Sequence, residues 1–236
     1  MDRRIATALA LTTFLLALPR TASGATACWA DGPTLRLAIT GRATATLALV
    51  DDGAGGTLLA VNGRACRGGA GRTAAAVSGD AAAQTLVLDL NGAGGFAGWT
   101  IEVALGGGAD ALSVTGTPAA DALSFSSTSL DLGADGSPEV AFGGIESLAA
   151  RGGDGADRLD GSAVADPGIA LHLSGGPGTD ELLGGAGPDV LRGDDGKDDA
   201  MRGGPGDDAL TGGRGIDRNG AWDCGDGSDR ATFDRD

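Results

Sequence analysis

The chain has no tyrosine, one histidine and three cysteines among 236 residues, and only five Phe and three Trp supply aromatic rings. A globule of this length ordinarily builds its interior on large aromatic anchors. With so few, a thick core is excluded. Ala, Val and Leu must fill an interior that encloses little volume, as in a solenoid. A lone histidine and no C-x-x-C pair exclude the common zinc sites. H-E-x-x-H and G-x-S-x-G are also missing, so neither the zinc-protease nor the serine-hydrolase signature is present. Basic residues are scarce as well, 17 Lys and Arg against 32 Asp and Glu. Such a surface repels nucleic acid phosphates and anionic membranes and attracts cations.

What is present begins with a segment that reads as a secretion signal. Asp2, Arg3 and Arg4 form a short, net positive start, and Ile5 to Leu18 is apolar with small polar breaks. Small residues follow, with A-x-G at Ala22–Gly24 and A-x-A at Ala25–Ala27. Fourteen apolar residues are too few to span a bilayer, and no later segment is apolar enough, so no transmembrane segment is expected. A lipoprotein acylated at Cys28 is the other reading, but Ala25 stands where such signals usually carry Leu. Residues 1–24 are therefore expected to be removed and the protein to be extracellular. The remainder carries 14 basic and 31 acidic side chains, a net charge of −17, and 19 of those acids lie in residues 151–236 beside 9 basic residues. In an oxidising compartment Cys28, Cys66 and Cys224 allow three pairings, of which sequence proximity favours Cys28–Cys66.

Residues 28 to about 150 read as short strands between Gly, Asp and Ala turns. Apolar or alternating runs occur at Leu35–Ile39, Leu47–Val50, Leu58–Val61, Leu86–Leu90, Trp99–Leu105, Leu112–Val114, Leu123–Phe125 and Val140–Phe142. Their spacing suits a β-sandwich and β-helix rungs alike. Ala74–Val77 is too short to argue for a helix. The composition then changes, which divides the chain into a signal (1–24), an all-β portion (25–150) and a repeat region (151–236).

The repeat is nine residues long, as in GGPGTDELLGGAGPDVLRGDDGKDDAM over 175–201. Aligned glycines place an aspartate sixth at Asp157, Asp180, Asp189, Asp198, Asp208, Asp217 and, in a variant, Asp229. Two positions further on, where a strand should bury one side chain, stand Leu159, Leu182, Leu191, Ala200 and Leu210, with Asn219 and Ala231 at the end. Arg202 reads as a one-residue insertion, and residues 161–174 as an excursion loop or a degenerate pair of rungs. Glycine tolerates positive φ and leaves carbonyls uncovered, so a six-residue turn can point several oxygens inward. Calcium takes about six to eight oxygens and accepts carbonyls mixed with carboxylates. One turn cannot supply them all, but stacked turns can. Stacking also sets like charges about 5 Å apart, a repulsion of roughly 3 kcal/mol per pair at an effective dielectric near 20. Several such pairs exceed the stability margin of a small domain, so an array without calcium should be loose.

The array resembles the RTX (haemolysin-type) calcium-binding repeat proteins over residues 152 to about 229. Upstream, FGGIESLAARGGDGADRLDGS (142–162) looks like the lead-in segment of secreted bacterial members. The resemblance implies a parallel β-roll in which six residues make each calcium turn and three make a short strand. It implies Ca2+ as cofactor, held between alternate turns on each side, with the sixth-position aspartates as side-chain ligands. The chain departs from the pattern where Asp194 replaces the second glycine and where Asn219 fills an apolar slot. The fold expected is all-β, a C-terminal RTX β-roll preceded by an all-β, β-helical portion.

RTX repeats often follow an enzyme domain, so a chemical site has to be sought. His172 lies in IALHLSGG, apolar at alternate positions, where it reads as a strand side chain. A calcium-dependent β-helix enzyme such as a polysaccharide lyase could work with carboxylates and an Arg or Lys base, but no clustering in 28–150 marks one. Asp51–Asp52 reads as a turn ahead of Gly53. An adhesin surface would rest on Thr44/Thr46 and Thr115/Thr117, too few for a regular array. The sequence therefore favours a calcium-dependent structural or surface-interaction module without catalysis, its partners being calcium and cell-surface or matrix components.

Overall fold

In the computed structural model, residues 25–54, 56–92, 95–196, 199–214 and 221–232 are described. The expected signal, residues 1–24, lies outside them. At the N-terminal end come β1 (Ala25–Asp31), β2 (Thr34–Thr40), β3 (Ala43–Asp51), β4 (Thr57–Val61) and β5 (Arg64–Ala65). Next are β6 (Ala74–Ser78), β7 (Gln84–Asp89), β8 (Thr100–Ala104), β9 (Ala111–Thr115), β10 (Ala122–Ser126), β11 (Ser129–Asp131), β12 (Val140–Gly143) and β13 (Ser147–Arg151). The remainder is β14 (Arg158–Ala163), β15 (Ala170–Ser174), β16 (Glu181–Leu183), β17 (Val190–Arg192), β18 (Ala200–Arg202), β19 (Ala209–Thr211), β20 (Trp222–Asp223) and β21 (Arg230–Thr232). The Ala74–Val77 run left unassigned in the sequence is a strand, β6, half-buried between β2 and β8.

The strands form two sheets. One has the order β1-β2-β6-β8-β12-β11-β10-β14-β16-β18-β20, and the other β21-β19-β17-β15-β13-β9-β7-β3-β4-β5. From β12 onward the chain crosses from one sheet to the other at almost every turn, which is a solenoid and fulfils the expectation of an all-β roll. Antiparallel pairs are confined, among the described strands, to β1/β2 and β3/β4/β5 at the N-terminal end and to the β10/β11/β12 excursion. The Cys28 to Cys66 disulfide ties the first strand to the segment after β5, with Cα atoms 5.5 Å apart. Both sheets continue across residue 150, and the boundary expected there falls within β13, which pairs with β9 and β15.

Stacking works because each rung donates a similar side chain to a shared column. In one sheet the register links Leu123, Leu159, Leu182, Met201 and Trp222. In the other it links Leu88, Val114, Ala150, Leu173, Leu191, Leu210 and Ala231. All but the terminal Trp222 and Ala231 are buried. Three-residue strands bury one side chain each, so from β16 onward these two columns make up the apolar interior of the described residues. That explains how the chain dispenses with aromatics.

The structure corrects one slot. Met201, not Ala200, fills the column after Leu182, and Ala200 is only half-buried. The tenth residue of that repeat is taken up between Gly193 and Asp199, before the strand starts. Arg202 is therefore no insertion: it closes β18, opposite Leu183 and Asp223. Residues 161–174 resolve into the end of β14, a loop and β15, which is a full rung element paired with β13 and β17. Asn219 lies outside the described residues.

Candidate metal centre

The turns between sheets lie along two edges of the roll. On one edge are the turns ending at Asp157, Asp180 and Asp199; on the other are those ending at Asp189, Asp208 and Asp229. Alternate repeats therefore share an edge. The slot after Asp157 and Asp180 belongs to Asp199, while Asp198 and Asp217 lie outside the described residues. Alignment on glycines alone could not find Asp199, because the extra residue sits inside the turn.

Each edge carries a hydrogen-bond ladder. The Asp157 N–H donates to Asp180 Oδ1 at 2.8 Å, and the Asp180 N–H to Asp199 Oδ1 at 2.9 Å. Opposite, Asp189 N–H donates to Asp208 Oδ1 at 2.8 Å, and Asp208 N–H to Asp229 Oδ1 at 3.0 Å. One carboxylate oxygen is thus fixed by the backbone of the preceding rung. The ladder also extends upstream of the repeat, since Asp121 N–H donates to Asp157 Oδ1 at 2.8 Å. Asp121 was missed in the sequence because its turn, GTPAAD, keeps only the first glycine.

The second oxygen is the informative one. Asp157, Asp180 and Asp208 are about 98% buried, and their Oδ2 atoms have no hydrogen-bond partner. Leaving a buried acceptor unmatched costs about 1–3 kcal/mol, and more for a charged group. Repetition of that cost at the same turn position marks a place prepared for a cation. The first glycine of each turn makes room for that oxygen: a Cβ on Gly175 would collide with Asp180 Oδ2. Asp189 differs, its Oδ2 accepting the Gly185 N–H at 2.6 Å. Asp194, where the second glycine is replaced, itself takes φ 66°, a conformation Asp tolerates better than most side chains.

Burial raises the carboxyl groups of Asp180 and Asp189 to about 6, with the neighbouring carboxylates adding to it: Asp199, Asp157 and Asp194 for Asp180, and Asp208 for Asp189. Asp157 and Asp208 are raised for the same reasons, burial first and then Asp121 and Asp154, or Asp229 and Asp207. A divalent cation would relieve both causes, since it replaces lost solvation and cancels repulsion. Among the described residues no three His, Cys, Asp or Glu side chains converge, so most donors would have to be backbone carbonyls. Calcium accepts such an oxygen-rich, carbonyl-dominated set. The residues fit the ion: Asp157, Asp180, Asp199, Asp189 and Asp208 would supply carboxylate oxygens, and the ion would supply the charge that locks stacked turns together.

The groups considered for catalysis are scattered. His172 is on the outward face of β15, level with Ala149 and Val190. Asp51 and Asp52 accept the Gly53, Ala54 and Gly56 N–H groups, as a turn requires. A cavity of about 480 Å³ beside the Cys28–Cys66 bond is lined by Asn62, Arg64 and Arg67 among others, with no carboxylate in its wall.

The family model of the RTX calcium-binding nonapeptide repeat matches in four copies, over residues 150–166, 174–201 and 197–218. Comparison with curated proteins and with solved structures gave no match. The matched residues include the stacked turns that end at Asp157, Asp180, Asp189, Asp199 and Asp208, so this part of the chain carries calcium-binding nonapeptide repeats of the RTX type.

Proposed function

We propose that this is a secreted protein whose repeat region orders on calcium and serves as a structural or surface-interaction module without catalysis. The observation that carries the reading is the recurrence of a buried, unmatched Oδ2 at Asp157, Asp180 and Asp208. The ligand set is Asp157, Asp180 and Asp199 on one edge and Asp189, Asp208 and Asp229 on the other, with Asp198 and Asp217 as candidates in the segments between. Export is supported by the signal-like sequence of residues 1–24 and by the Cys28–Cys66 bond, which persists in oxidising compartments. Its partners are calcium and components of a cell surface or matrix. Nucleic acid is disfavoured by the net charge, and among the described residues no helix is long and apolar enough to cross a membrane.

The test is far-UV circular dichroism of residues 25–236 through a calcium titration. Ordering should be steep in calcium, because ions on one edge share turns, and magnesium should substitute poorly since it holds its water and demands octahedral geometry. A β signal indifferent to chelator would refute the reading. Turnover on ester, peptide or polyuronate substrates, abolished by Arg64→Ala or Arg67→Ala, would favour the lyase alternative instead.

A further inference from the structure

The sequence L-G-G-G-A-D-A-L-S (105–113) lies well upstream of the matched repeats. It keeps the second and fourth glycines, the sixth-position acid and the eighth-position leucine of the nonapeptide, and has Leu105 in place of the first glycine. The backbone follows the same path as in the matched turns. Four and two residues before the acid, Gly106 and Gly108 have φ of 98° and 130°. The corresponding pairs are 114° and 128° at Gly153 and Gly155, and 101° and 139° at Gly204 and Gly206.

The acid is equally well prepared. Asp110 is 1% exposed. Its Oδ1 accepts the Gln84 N–H at 2.7 Å, and its own N–H donates to Glu146 Oε2 at 2.8 Å, so it takes part in a ladder of the same type. Its Oδ2 is buried with no partner. This ladder is separate from the downstream one, where Asp189 Oδ1 accepts the Leu171 N–H instead. The nearest other acid on the preceding turn, Asp80, is already committed: it accepts the Gly41 and Ala82 N–H groups and the Gln84 amide. Gln84 occupies the acid slot of that turn, and Glu146, exposed, occupies it in the following one.

We propose that the turn 105–110 is an additional calcium site, in which Asp110 Oδ2 supplies the carboxylate oxygen and the carbonyls of the glycine turn supply the remainder. With a neutral amide in place of a second buried acid, it should be weak, with a Kd of about 0.1–1 mM. The proposal rests on the calcium reading of the downstream array only for the identity of the ion.

The test is a calcium titration of the 15N-labelled chain, residues 25–236, followed by NMR. The amides of Gly106, Gly107 and Gly108 report this turn, and those of Gly185 and Gly204 report the array. The expected result is that both groups shift in the wild type. In Asp110→Asn, which keeps the Oδ1 acceptor for Gln84 but loses the charge, the shifts at 106–108 should vanish while the array still responds. Movement of the array amides alone in the wild type overturns the proposal and leaves the array reading standing. Movement at 106–108 alone supports it and sinks the array reading, and no movement anywhere overturns both. Should Asp110→Asn not fold, the wild-type titration decides the matter by itself.

Discussion

Acidification should stabilise the calcium-free protein, contrary to the usual behaviour of carboxylate-rich folds. Asp180 and Asp189 titrate near 6 in the fold, against 3.8 for an unperturbed group. A group raised on folding favours the folded state fully below its unfolded value and loses that contribution as pH rises through its folded value. Ionising each group in the fold therefore costs about 3 kcal/mol at neutral pH. Going from pH 7 down to 4.5 should recover about 2 kcal/mol per group, or about 4 for the two, which lie on opposite edges and act independently. Groups shifted the other way interfere little. Asp52 and Asp80, held down by the Ala54 and Gly41 N–H groups respectively, and Asp131 and Asp160, lowered as well, lose most of their contribution only below 3.8 and so oppose the gain weakly down to pH 4.5. The assay is urea unfolding of calcium-depleted protein at pH 7, 6, 5 and 4.5, followed by circular dichroism. A midpoint that rises on acidification is expected, and saturating calcium should abolish the gain because protons and calcium compete for the same oxygens. A calcium-free midpoint that is flat or falls between pH 7 and 4.5 would refute the reasoning.

Three further outcomes follow from the geometry. Asp180→Asn and Asp199→Asn should be non-additive in calcium affinity by about 1 kcal/mol or more, since they share an edge and a hydrogen bond, whereas Asp180→Asn with Asp189→Asn should lie near additivity. Equal coupling in both pairs, measured by calorimetric titration, would place the ions within single turns. Met201→Ala should destabilise the calcium-loaded protein by about 2–5 kcal/mol in denaturant titration, and Ala200→Ser by about 0.5 or less; the reverse order would put Ala200 back in the core. Replacing Cys28 and Cys66 together by Ser should cost about 4 kcal/mol, from the entropy of the loop set by their separation of 38 residues, read as a lower thermal midpoint.

Much of this architecture could be read from residue types and spacing. The eight apolar runs of the N-terminal half all fall on strands, because alternation imposes period two wherever one face is buried. The nonapeptide likewise gave the alternation of edges, since nine residues make half a coil. What escaped was anything that depended on where an extra residue is absorbed. A ten-residue repeat can place its spare residue in the turn or in the strand, and glycine alignment does not distinguish the two; only the column Leu182–Met201–Trp222 does. Asp110 and Asp121 escaped for a related reason. The turn before Asp110 lacks only the first glycine and stands apart from the array, whereas that before Asp121 keeps only the first; the Asp110 turn still follows the positive-φ path of the matched turns, and Asp121 still joins the ladder. The disulfide was one of three pairings in the sequence, and stacking of β1 against the N-terminal end settles it as Cys28–Cys66.

The carboxylate hydrogen bonds between turns have a direction. In every step from Asp121 to Asp199, and again from Asp189 to Asp229, the backbone N–H belongs to the earlier rung and the accepting carboxylate to the later one. Each rung therefore draws on its successor for the carboxylate that holds its turn amide, while in the opposite sense the Glu181, Ala200, Ala209 and Arg230 N–H groups donate to the carbonyls of Asp157, Asp180, Asp189 and Asp208. Losing the last turn should therefore leave the N–H of the turn before it without its carboxylate, whereas losing the first turn of the array leaves a carboxylate oxygen free for an ion or for water.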